Sequence, residues 1–336
     1  MVPEGVGQSD VSVVPVGAPA ADLVLVTTTD FFYPLVDDPY VMGRIGCCNV
    51  LSDLYAAGVT HCDSLLMLLA ECTEIPDTAG LRGCVTQLLM RGFADAARDV
   101  GVAVTGGQSV RGAWPLIGGA ASAVCPRTQL LAPGRAIPGD VVVLTKPLGM
   151  QVCVNAHQWL ARRATSPVFR ARAEQLDALL PAGVVEASYR TAARQMARMN
   201  RRAAELMHVH GAHAATDVTG FGILGHAANL AQEQGQSQGK EQGPSVALEI
   251  HTLPILRGMV RVLDVVNFPL LQGRSAETSG GLLVCLPSEA AARAYCAELE
   301  RDEGFPAWIV GRVVERDPAT DTPPAYIVEK PTIIEY

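Results

Sequence analysis

A two-domain α/β architecture is what this chain predicts, and three observations carry it. With 336 residues it exceeds the size of one typical core and suffices for two domains that each bury most of their apolar surface. Along its length, β-branched apolar runs alternate with segments of helical periodicity. Proline and glycine cluster at Pro133-Gly134 and Pro138-Gly139-Asp140, just before a new apolar strand, which divides the chain into residues 1–137 and 138–336.

In chain order, residues 11–16 and 23–28 read as two strands separated by Gly17-Ala18-Pro19, with Asp30 just past a strand end. Residues 43–57 have helical periodicity in Ile45, Cys48, Leu51, Leu54 and Tyr55. Asn49 and Asp53 are four apart, so both project from one face and can look at Asp30. A strand over 64–70 follows, then a helix over 81–100 with Asp77 or Thr78 as cap, a strand over 102–105 running into Gly106-Gly107-Gln108-Ser109, and a strand over 116–124. The second half repeats the alternation, with strands at 141–145, 212–216, 246–250, 282–286 and 308–314. Its helices are expected at 152–163, 185–208, 223–232, 254–266 and 290–301, the last capped by Ser288. The Gln-, Gly- and Ser-rich run 232–244 has no apolar face and reads as a mobile surface loop. Thr105-Gly106-Gly107 and Ser279-Gly280-Gly281 echo each other before strands, which leaves both an internal duplication and a chance similarity open.

Composition narrows the function classes. Charged residues make up 18% and the net charge is −8, which argues against a basic nucleic-acid or anionic-membrane surface and for a small-molecule partner. The nine cysteines form no C-x-x-C pair and no zinc spacing with histidine, so they read as reduced, mostly buried thiols of a cytosolic protein. No signal peptide is visible at the N-terminus, and the apolar runs are too short to span a bilayer.

The residues that can carry chemistry are aspartates in Gly- and Thr-rich contexts: Asp10, Asp30 after three threonines, Asp53 in Asn49-Val50-Leu51-Ser52-Asp53, and Asp217 in Thr216-Asp217-Val218-Thr219-Gly220-Phe221-Gly222. Mg²⁺ takes hard oxygen ligands, a few carboxylates plus substrate phosphates, so the pattern points to a Mg-nucleotide site. An acidic chain accommodates a polyanionic nucleotide when metal ions bridge the like charges. Asp30 reads equally as a ligand or as a turn residue. Asp53 and Asn49 lie on an otherwise apolar helix face, where a carboxylate needs a partner or a metal, and Ser52 beside them reads as a helix-internal hydroxyl of no consequence. Asp217 precedes a helix and reads as an N-cap or as part of an anion-binding turn. Gly106 to Ser109 can wrap a phosphate or ribose or can simply turn the chain, and Lys146 can meet a phosphate or solvate a surface. Asp37-Asp38-Pro39 reads as an acidic turn. No P-loop, dinucleotide fingerprint or nucleophile elbow is present.

Thr28-Thr29-Asp30-Phe31-Phe32, Asp37-Asp38-Pro39-Tyr40, Asn49 to Tyr55, Gly106-Gly107-Gln108, Leu144 to Gly149, Ala215 to Gly222 and Glu277 to Gly281 strongly resemble the selenophosphate synthetases (selenide, water dikinases), most closely their eukaryotic branch. The resemblance covers nearly the whole chain. It implies the two-domain aminoimidazole-ribotide synthetase fold, a homodimer joined by a β-barrel-like interface of N-terminal domains, and conversion of selenide, ATP and water to selenophosphate, phosphate and AMP. Matched by position, it implies Asp10, Asp53 and Asp217 as ligands of several Mg²⁺ ions and Asp10, Asp30 and Asp53 as nucleotide contacts. Gln8, Ser9, Gly106, Gly107, Gln108 and Ser109 are implied as further nucleotide contacts, the last four reaching a nucleotide in the partner subunit. The family's leading Gly-rich segment, with a catalytic Cys or selenocysteine and a Lys, has no counterpart before Asp10. The chain therefore reads as N-terminally truncated, with no catalytic thiol assigned and little selenophosphate synthesis expected. A related ATP-dependent synthetase or kinase, and a regulatory or scaffolding paralogue, are the alternative readings.

Overall fold

A computed structural model describes residues 11–17, 22–131, 134–232, 245–317 and 321–336. The first half forms a five-stranded sheet of β1 (Ser12–Val16), β2 (Leu23–Phe32), β3 (Ser64–Cys72), β4 (Val104–Gly112) and β5 (Leu116–Pro126), in the order β1-β2-β5-β3-β4. Helices α1 (Pro39–Ala56) and α2 (Leu81–Asp99) cover one face. Along β2 the burial alternates, so Val24, Val26 and Thr28 face the helices while Phe31 faces outward, the period-two signature of a half-buried strand. α1 is buried nearly all round, because it lies between its own sheet and the second half of the chain. Its start is set by Asp38, whose carboxylate accepts the Tyr40 and Val41 N–H groups, with Pro39 at the first helical position. The acidic turn at Asp37-Asp38-Pro39 is thus a helix cap.

The second half forms a six-stranded sheet of β6 (Val141–Leu144), β7 (Ala214–Asp217), β8 (Val246–Ile255), β9 (Leu282–Leu286), β10 (Trp308–Glu315) and β11 (Ala325–Glu335), ordered β11-β8-β10-β6-β9-β7. Around it lie α3 (Met150–Ala161), α4 (Pro167–Leu179), α5 (Val184–Met196), α6 (Arg201–Val209), α7 (Gly222–Gln232), the short α8 (Met259–Val262) and α9 (Glu289–Glu303). α7 packs on β7, β8 and β11, and α9 on β6, β9 and β10.

Several expected elements differ. The helix expected over 185–208 is two, α5 and α6, and the break carries Arg198 and Asn200 into the interior. β8 runs on to Ile255 where a helix was expected, so only the four residues of α8 are helical there. α4 and β11 were not anticipated. Gly106-Gly107 is not a turn but lies inside β4: a Cβ at Gly107, where φ is +144°, would stand 1.9 Å from the Met67 carbonyl oxygen, so glycine permits this close strand pairing. The two Gly-Gly echoes therefore occupy different structures, one within β4 and one in the turn before β9. Most of the Gln-rich run lies outside the described residues.

Candidate functional site

Three aspartates from both halves converge on one face of α1. Alternation along β2 aims Thr28 and Asp30 at the helix, and the i, i+3, i+4 spacing of Asn49, Ser52 and Asp53 places those side chains opposite. Thr28 Oγ1 donates to Asp53 Oδ2 at 2.5 Å, and Asn49 Nδ2 donates to Asp30 Oδ2 at 3.0 Å. Across the seam, Ser52 Oγ donates to Asp217 Oδ2 at 2.6 Å, at the end of β7. The turn 279–281 closes the far side: the Ser279 N–H donates to Asn49 Oδ1 at 2.8 Å, and Asn200 Nδ2 donates to the Gly280 carbonyl at 2.9 Å and to Ser52 Oγ at 3.0 Å. A Cβ at Gly280 would lie 1.9 Å from the Val218 carbonyl oxygen, so only glycine lets this turn approach the Asp217 loop.

The electrostatics of Asp217 set it apart. It is 1% exposed, and burial pushes its carboxyl above the ordinary range, while the Ser52 hydroxyl and the Lys146 charge pull it back. The carboxyl of Asp53 stands within hydrogen-bonding reach, yet two ionised acids offer only acceptors to one another. Among the described residues Asp217 Oδ1 has no hydrogen-bond partner. A buried carboxyl oxygen without a donor, beside a second carboxyl group, fits a hard cation. These oxygens suit Mg²⁺ and offer no sulfur or nitrogen ligand.

Lys146 does not lie on the surface. It is fully buried, donates to the carbonyls of Arg198 at 2.7 Å and Ser279 at 2.8 Å, and burial lowers its pKa to about 7, with the Arg198 charge adding to the effect. Glu277 is buried as well, and its carboxylate accepts the Gly149 and Met150 N–H groups at 2.6 and 2.9 Å, capping α3 from outside that helix. Cys48 donates to the Ala197 carbonyl at 3.2 Å, and burial pushes its thiol up to about 11, so it is no nucleophile.

Of the residues expected from sequence, Asp30, Asp53 and Asp217 are brought together. Gln8, Ser9 and Asp10 lie outside the described residues. Gly106 to Ser109 are not at this cluster: Asp30, Gly119, Met67 and Gly107 form one cross-strand row, which sets Gly107 three strands, about 14 Å, from Asp30. Ser52, dismissed as inconsequential, proves to be the hydroxyl that holds Asp217. Asn200 escaped notice and Ser279 was read only as part of a Gly-Gly string, since their partners stand 148 and 230 residues away and no local pattern announces such contacts.

Residues 8–125 match the AIR synthase related protein, N-terminal domain, and residues 138–321 match the C-terminal domain of the same description. The human protein named selenide, water dikinase 2 is 51% identical over 317 residues, covering 93% of this chain and 66% of that protein. Selenide, water dikinase of Dictyostelium discoideum is 47% identical over 318 residues, covering 94% of this chain and 82% of its own. The chain belongs to the selenide, water dikinase family. It spans about two thirds of the length of the human family member. Solved structures share the family's fold at low identity: thiamine monophosphate kinase from Aquifex aeolicus has a TM-score of 0.62 at 17% identity, covering 96% of this chain and 92% of that one. The hydrogenase maturation protein HypE in complex with ATP has a TM-score of 0.62 at 16% identity, covering 95% and 84%.

Proposed function

We propose that this protein is an ATP-dependent selenide, water dikinase, forming selenophosphate, AMP and phosphate from selenide, ATP and water. The observation that carries the reading is the meeting of Asp53 and Asp217, from opposite halves of the chain, with Asp217 Oδ1 buried and lacking a donor. Family membership supplies the substrates; the geometry supports the cation and phosphate half of the reaction. Among the described residues no group of three or more His, Cys, Asp or Glu is arranged to hold a metal, so Mg²⁺ here rests on two protein carboxylates, with phosphate oxygens and further ligands completing its shell. Bound Mg²⁺ would neutralise charge on the phosphates during transfer. In this reading Asp53 and Asp217 are ligands, held in place by Thr28 and Ser52, and Asp30, oriented by Asn49, contacts the nucleotide.

The same reading extends to a homodimer and a cytosolic location. Phe31, Leu66, Val110 and Trp114 are exposed by 60, 38, 52 and 69%, which supports a second copy covering apolar surface of the first sheet. The distance of Gly106 to Ser109 from their own Asp30 supports their serving the partner's nucleotide. Nine free cysteines support a reducing compartment, and no helix among the described residues is long and apolar enough to cross a membrane.

Two measurements test the proposal. A non-hydrolysable ATP analogue should bind with strong dependence on Mg²⁺, and phosphorus NMR of anaerobic mixtures with ATP and selenide should show AMP, phosphate and a P–Se resonance. The identity of the products carries the test. Accumulation of ADP with another phosphorylated acceptor would favour a related kinase.

A further inference from the structure

We propose that Asn200 is a positioning residue, which locks the Ser52 hydroxyl onto Asp217 Oδ2 and so leaves Asp217 Oδ1 as the oxygen offered to the cation. The inference rests on the cation reading of Asp217 and adds the device that orients that ligand.

Asn200 is 2% exposed and lies in the break between α5 and α6. Its Nδ2 makes two contacts, 2.9 Å to the Gly280 carbonyl oxygen and 3.0 Å to Ser52 Oγ. The carbonyl oxygen only accepts, so the amide must turn its nitrogen that way; the flipped amide would set oxygen against oxygen. The same nitrogen then donates to Ser52 Oγ. Ser52 has one proton, and with a lone pair taken up by Asn200 that proton is directed to Asp217 Oδ2, 2.6 Å away. Without Asn200 the hydroxyl has a competing partner, since a serine inside a helix can turn back to the carbonyl four residues earlier, here that of Cys48.

The anchor of this relay is itself rigid. Ser279 sits at φ +47°, its carbonyl accepts from the buried Lys146 amine, and its N–H holds Asn49, which in turn donates to Asp30. One turn therefore sets both carboxamides, and through them both Asp30 and Asp217. Because the relay ends on a carboxylate oxygen and not on a packing surface, its loss is read as ligand disorder.

The test is Mn²⁺ affinity of the whole chain, measured from the free-Mn²⁺ electron paramagnetic resonance signal, for the wild type, Asn200→Ala, Ser52→Ala, the double variant and Asp217→Asn. Asn200→Ala and Ser52→Ala are each expected to weaken binding by about tenfold, with the double variant no weaker than Ser52→Ala, since residues acting through one path are non-additive. Asn200→Leu, near-isosteric and without a donor, replaces the alanine variant if that one does not fold. Wild-type affinity in Asn200→Ala, or losses that add in the double variant, would overturn the positioning role. If Asp217→Asn itself binds Mn²⁺ like the wild type, the cation reading fails instead, so the two failures are separable.

Discussion

Asp217→Asn is expected to make the protein more stable without divalent cations and less stable with them. Without a cation, Asp217 is buried, its Oδ1 lacks a donor and Asp53 stands against it. A buried polar atom left unpaired costs about 1–3 kcal/mol, and more when charged. An amide of the same shape still accepts the Ser52 hydroxyl and presents an NH₂ to Asp53, so a gain of about 1–2 kcal/mol is expected in chelator. Because burial raises the Asp217 carboxyl above its ordinary value, the metal-free wild type also loses stability as pH climbs through that raised value, and the variant does not. A ligand that binds only the folded state stabilises it by about 2.7 kcal/mol at a hundred times its Kd, and the variant gives up most of that term. The order of stability should therefore reverse between the two conditions. Urea unfolding followed by circular dichroism, in chelator and in Mg²⁺ with a non-hydrolysable ATP analogue, reads both. Equal cation-dependent gains in the two proteins would refute Asp217 as a ligand, and a variant less stable in chelator would refute the buried-charge reasoning.

Thr28→Val keeps the branched shape that suits β2 and removes the 2.5 Å bond to Asp53, so it should cost about 1–3 kcal/mol in chelator and less once a cation holds Asp53; the same unfolding assay measures both values. Burial raises the Glu277 carboxyl from 4.5 to about 8, so the folded protein keeps a proton that the unfolded chain has released. Stability should fall as pH rises through that window and level off above it, and Glu277→Gln should flatten the slope, although it loses about 1–3 kcal/mol at acid pH from an α3 N–H left without its acceptor. If the proposed homodimer forms through the exposed apolar face of the first sheet, Phe31→Asp places a charge on it and should shift sedimentation from dimer to monomer without lowering Mn²⁺ affinity; an unchanged sedimentation coefficient would refute that face as the subunit contact.

Much of the site was legible wherever a local period aims a side chain. Alternation in β2 and the spacing of Asn49 and Asp53 on α1 predict that these groups share one space, since side-chain direction in strands and helices follows from position in the chain. Asp217 at the end of a strand was visible for the same reason. Ser52 was misread because a helix-internal serine has a local carbonyl to satisfy it, and nothing nearby shows that an acid 165 residues later competes for its proton. Lys146 was misread in the same way: a lone lysine suggests solvent or phosphate, whereas here two carbonyls from separate segments hold it inside the protein.

The amino-acid order by itself determined the succession of strands and helices in the first half, the shared space of Asp30, Asn49 and Asp53, and the family, because each rests on short-range period or on a local string of residues. Only the tertiary structure decided that α5 and α6 part to carry Asn200 inward, that Gly106 to Ser109 lie three strands from their own Asp30, and that the 279–281 turn sets two carboxamides together. Those features arise from hydrogen bonds and close backbone approaches between segments far apart in the chain, where the energy of a buried donor depends on which acceptor the fold brings to it and not on its neighbours in sequence.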